Sequence, residues 1–77
     1  RVYHESGEYE KAVAHYRSAI RLDPDESADA HYSLGVIFRE QGLHDKAAKE
    51  FRAALKVDQG YKEAEKELDS LLQRKDR

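Results

Sequence analysis

The side chains of this sequence that could do chemistry are four histidines, sixteen carboxylates and a few serines, with no cysteine at all. His4, His15, His31 and His44 include no i, i+4 pair, and His4 followed by Glu5 does not begin a His-Glu-x-x-His zinc helix. A zinc site needs three or four ligands converging at fixed distances, and no stretch offers that spacing. The serines lack a Gly-x-Ser-x-Gly elbow, and four isolated glycines do not build a phosphate-cradling loop. Without cysteine there is no thiol nucleophile, redox pair or zinc ribbon. The carboxylates are interspersed with Lys and Arg, as on a solvated helix face. These residues predict a chain without catalytic site, metal or cofactor.

Charge narrows the partners in the same way. Fourteen Lys plus Arg against sixteen Asp plus Glu leave a net charge of −2, and the signs are mixed along the chain. Nucleic-acid binding needs a basic stripe that displaces counterions, so no nucleic-acid partner is expected. A spanning helix needs about 20 consecutive apolar residues, and no run approaches that. No signal-peptide pattern stands at the start, and with cysteine also absent a cytoplasmic location is expected. The chain opens at Arg1, without methionine and in a helical pattern, which suggests a fragment of a longer protein.

What remains is a scaffold, and its elements are legible. The single proline and few glycines leave few breaks, and apolar residues recur at helical spacing throughout the 77 residues. Residues 1–6 hold at most a turn or two of helix, which Gly7 can end by taking a left-handed conformation. Over 8–22, Tyr9, Ala12, Val13, Tyr16, Ala19 and Ile20 fall three or four apart and share one face. Pro24 stops that helix, because it biases Asp23 away from the α region. Ser27 is positioned as the N-cap of a second helix over 28–41, with Ala30, His31, Leu34, Ile37 and Phe38 on its apolar face and Gly42 at its end. A third helix over 45–57 gathers Ala47, Ala48, Phe51, Ala54 and Leu55, with Asp45 favourably near its N-terminus. After a break at Asp58, Gln59 and Gly60, a fourth helix over 61–74 carries Tyr61, Ala64, Leu68, Leu71 and Leu72, and residues 75–77 are expected to fray.

The chain also repeats itself. Tyr3, Gly7, Ala12, Tyr16, Ala19, Ile20, Leu22 and Asp23 recur in type 35 residues later as Phe38, Gly42, Ala47, Phe51, Ala54, Leu55, Val57 and Asp58. Eight matches in one ungapped register indicate stacked helix pairs. The motif His31-x2-Leu34-Gly35-x2-Phe38, then Ala47-x3-Phe51, resembles the tetratricopeptide repeat pattern, and the first copy supplies Tyr3, Ala12-x3-Tyr16 and Pro24. His31 stands in the aromatic slot and Gln59 in the proline slot. Family repeats are about 34 residues long, so the 35-residue offset predicts one extra residue in the turn around 25–27.

The resemblance covers essentially the whole chain and implies an all-α fold, an α-α superhelix of antiparallel helix pairs. Residues 1–24 are then a truncated first repeat, 28–61 a complete one and 61–74 a C-terminal capping helix, within a single domain. In the fourth helix Glu65 and Asp69 occupy the slots of His31 and Gly35, which places carboxylates where a further helix would otherwise pack. Such a polar outer face suits the end of an array.

By the same resemblance the function is protein–protein interaction without catalysis: the first helix of each pair lines a concave groove for an extended peptide or a partner's helix. The implied groove residues are Asp29, Tyr32, Ser33, Val36 and Glu40, and on the last helix Glu63, Lys66, Glu67 and Ser70. Tyr32 and Val36 put apolar area on an otherwise polar stripe. The family's clamp for the C-terminal carboxylate of heat-shock chaperones does not carry over, because Ser33 replaces an Asn, Glu63 a Lys and Glu67 an Arg. An acidic groove of this kind predicts a basic or mixed-charge peptide. Two alternatives remain from the sequence. The truncated first repeat leaves Tyr9, Val13 and Tyr16 open to self-association or to docking on further repeats, and a related helical-repeat family binds RNA.

Overall fold

In the computed structural model, which describes residues 6–75, the helix ends at Leu22, Glu40 and Val57 fall at the expected breaks. The described residues form α1 (Ser6–Leu22), α2 (Ala28–Glu40), α3 (His44–Val57) and α4 (Lys62–Lys75), with a 3-10 turn at Pro24–Glu26 and no strand. Of the helical stump expected over 1–6, residues 1–5, including Tyr3, lie outside the described residues, as does the end of the tail at 76–77. Gly7, expected to end that stump, instead lies inside the first turn of α1.

Each turn shows which group makes the break. Asp23 leaves the helical region at φ −149°, ψ 77°, as the residue before a proline must. Ser27 holds the N-cap position of α2, but its hydroxyl does not cap the helix: it donates backwards to the Pro24 carbonyl at 2.7 Å. The 3-10 turn places that carbonyl within reach of the buried hydroxyl's O–H. At the other end of α2, Gly42 adopts φ 83° while its N–H bonds Arg39 O at 2.9 Å and the N–H of Leu43 bonds Phe38 O at 2.8 Å. That is a Schellman closure, which needs a left-handed residue at this point. The break after α3 works differently, because Gly60 keeps an ordinary φ and its N–H bonds the Asp58 carboxylate at 3.1 Å. An Asx turn, and not a left-handed glycine, redirects the chain there. Five residues separate α1 from α2 and four separate α3 from α4, which accounts for the one-residue difference in repeat length.

Consecutive helices pack against one another, α2 with α3 most extensively. Their pairing is antiparallel: Lys46 reaches Phe38 near the turn, while Glu50 meets His31 and Phe51 meets Tyr32 further away. Gly35 permits the closest approach, since a Cβ there would lie 2.6 Å from the Phe51 ring. Leu34, Ala47, Phe51, Ala54 and Ala64 are wholly buried, with Phe38, Ala48 and Leu71 nearly so. Tyr16, Val13 and Ile20 of α1 pack on this cluster from one side and Leu68 from the other. In α4 the buried leucine is Leu71, whereas Leu72, the match of the 6% exposed Phe38, is 37% exposed.

Candidate functional site

The stripe proposed from sequence is built by α2 and α4, which run side by side in the same direction. Side chains join them at two places: the Tyr61 hydroxyl, just before α4, donates to Asp29 at 2.7 Å, and Arg39 donates to Glu67. Asp29 and Glu67 therefore hold neighbouring structure in place. Partial burial, reinforced by the bond to the Asp29 carboxylate, pushes the Tyr61 hydroxyl well above its usual range, so it remains a donor.

Tyr32 forms the floor between the two helices. Its ring stacks on Tyr61 with centroids 5.3 Å apart and tilts against Phe51 at 5.7 Å. Both Tyr32 and Val36 pack on the core cluster and are half-buried, as is Ser33. For Tyr32 the periodicity that placed it outside the core could not show this, because Phe51 and Tyr61, which pack on its ring, stand nineteen and twenty-nine residues further on. Glu40, Glu63 and Lys66 are exposed at the rim, and so is Ser70. Glu65 and Asp69 of α4 also face solvent.

The histidines do not converge. His31 Nδ1 lies 2.8 Å from Glu50 Oε1 beside the core, His15 meets the edge of Tyr16 at 5.4 Å, and His44 is exposed at the start of α3. His4 lies outside the described residues. Among the described residues no group of three or more His, Cys, Asp or Glu side chains is arranged to hold a metal ion. No described helix is long and apolar enough to cross a membrane.

One surface was missed in the sequence. A crevice runs between α1 and α3, lined by Arg17 of α1, Phe38 of α2, and Lys46 and Lys49 of α3, with Lys46 over the Phe38 ring. In the sequence these cations look like ordinary helix solvation. The usable signal was that Lys46 and Lys49 share a flank of α3 turned away from Ala47, Phe51 and Ala54.

Two family profiles match the chain: one described as TPR repeat covers residues 1–42, and one described as Tetratricopeptide repeat covers residues 28–61. No curated protein matches it.

Proposed function

The chain belongs to the tetratricopeptide repeat family, and from that premise we propose that the α2–α4 face docks a peptide or partner helix of basic or mixed charge. Repeats of this family generally mediate protein–protein interaction and are typically non-catalytic. The proposed site comprises Asp29, Tyr32, Ser33, Val36 and Glu40 on the complete repeat, and Glu63, Lys66 and Glu67 on the capping helix.

The observation that carries this reading is the pair of exposed carboxylates, Glu40 and Glu63, beside a half-buried apolar floor of Tyr32 and Val36. Arg39, which would oppose them, is engaged by Glu67. The two bridges hold the floor's spacing before any ligand arrives, which lowers the ordering cost of binding. A peptide-library screen read by fluorescence anisotropy tests it. Basic or mixed peptides should bind best, and Glu40→Lys with Glu63→Lys should weaken them by about 1 kcal/mol per charge or less. Best binders ending in Glu and Asp would reject the reading.

A second reading rests on α1, whose Tyr9, Val13 and Tyr16 are half-buried. A second copy, or a helix of a further repeat, would cover that flank. Light scattering at high concentration should then show association, and a strict monomer counts against the second copy.

A further inference from the structure

We propose that the crevice between α1 and α3 is a second docking surface, of charge opposite to the first, for an acidic amphipathic segment of a partner protein. Two adjoining clefts of about 390 and 380 Å³ share Arg17, Phe38 and Lys46 and so form one channel. Each reaches the lower end of the range of about 300–1,000 Å³ typical of ligand sites. Val13 and Ala14 give the α1 wall an apolar strip, and Ala53 does the same on α3. Phe38 lies at the floor, with the Lys46 ammonium 5.8 Å from its ring centroid.

The charge of this channel is the argument for its occupant. Arg17, Lys46 and Lys49 are exposed along it. Of the carboxylates, Glu50 is already bonded to His31, and Glu10 sits at the Tyr9 end. A segment presenting carboxylates on either side of an apolar side chain matches cations flanking Val13, Ala14 and Phe38, and a channel walled by two helices suits the helix-in-groove mode. Three cations are few for nucleic acid, whose binding rests on a longer series of phosphate contacts and makes no use of the apolar strip. The surface is also distinct from the α2–α4 face. His31 and Phe38 stand at helical positions on the far side of α2 from Tyr32 and Val36.

The test uses the whole chain and a helix-forming synthetic peptide with Leu at i and i+4 and Glu on both flanks, beside its Lys-for-Glu counterpart and a single-stranded polynucleotide. Binding is read by fluorescence anisotropy, and its location by amide shifts. The acidic peptide should bind, weaken with added salt, and move Val13, Ala14 and Ala53 rather than Ser33 and Val36. Arg17→Glu with Lys46→Glu and Lys49→Glu should weaken it by about tenfold, and Lys46→Gln with Lys49→Gln by less, while Glu40→Lys with Glu63→Lys leaves these shifts in place. The glutamate variants lie on exposed positions, and an unchanged thermal melt certifies their fold. Any of four results overturns the proposal: no binding of the acidic peptide, equal binding by the charge-reversed variant, equal binding of the polynucleotide, or a dimer whose contacts occupy Val13 and Ala53.

Discussion

α1 and α3 are nearly the same helix written twice, and the structure buries them very differently. Ala47, Phe51 and Ala54 of α3 are 0% exposed. Their matches in α1 are Ala12 and Tyr16, both half-buried, and Ala19, which is exposed. The residue types agree, so the difference lies in the neighbours. α3 has α2 on one side and α4 on the other, whereas among the described elements α1 packs chiefly on α2 and the 3-10 turn. In a solenoid the small-and-large pattern specifies what a helix can bury, and the adjoining repeat determines what it does bury.

The comparison is most exposed to failure at its aromatic pair. Phe51→Ala removes a wholly buried ring wedged against Gly35 and should cost about 3–5 kcal/mol, most of what a domain below about 80 residues has. The variant should be largely unfolded at room temperature by circular dichroism. Tyr16→Ala should cost about half as much, because its ring is already partly hydrated. Equal losses in urea titrations, or a Phe51→Ala melt within a few degrees of the parent, would break the comparison.

Overpacking tests the same contrast from the other direction. Ala54→Leu has no space to enter and should cost about 1–3 kcal/mol, whereas exposed Ala19→Leu should stay within about 0.5 kcal/mol of the parent. Gly35→Ala belongs with Ala54→Leu. The new methyl would meet the buried Phe51 ring, and that clash should outweigh the helix-propensity gain of about 1 kcal/mol. Chemical denaturation of the three variants would order them, and a destabilised Ala19→Leu would show that the α1 flank is already covered.

The paired glycines give a smaller effect of opposite sign. Gly42 holds φ 83°, so Gly42→Ala should cost about 1–2 kcal/mol in spite of the open space around it. Gly7, its match, lies in a helix, where Ala is favoured by about 0.5–1 kcal/mol. A lower melting temperature for Gly42→Ala and a raised one for Gly7→Ala is the expected outcome. Destabilisation by Gly7→Ala would return that residue to the turn role its sequence match suggests.

The sequence disclosed what local periodicity can carry. The helices, the close approach at Gly35 and the family were all legible, because spacing three or four apart and small residues in fixed slots are local signals. Hidden were the groups whose roles depend on a partner far along the chain or on the direction in which a side chain bonds. Ser27 had the right type for a cap, yet its hydroxyl donates to a 3-10 carbonyl behind it and accepts from no amide of α2. Tyr32 fell on the polar stripe by periodicity, yet Phe51 of α3 and Tyr61, just ahead of α4, pack on its ring and it is half-buried. Arg17, Lys46 and Lys49 come together across two helices that are not sequence neighbours, so no window of sequence contains them.

Tyr61 sharpens the contrast at its smallest scale, because it helps to seal the α3 side and its hydroxyl has a calculable pH signature. Burial and the bond to Asp29 raise its folded-state value above the unfolded one, which for tyrosine is about 10. A group raised on folding stabilises the native state fully below its unfolded value, and that contribution is lost as pH rises through the higher folded value. Stability in the parent should therefore fall above about pH 10, where unfolded tyrosine begins to ionise and the folded hydroxyl does not. Tyr61→Phe keeps the ring stacked on Tyr32 and removes only the hydroxyl, costing about 1 kcal/mol at neutral pH and flattening part of the alkaline decline. The parent-minus-variant difference in melting temperature between neutral and strongly alkaline pH isolates this one group from the other tyrosines. A difference that stays constant with pH would show that the Tyr61–Asp29 bond contributes nothing to closing the α3 side.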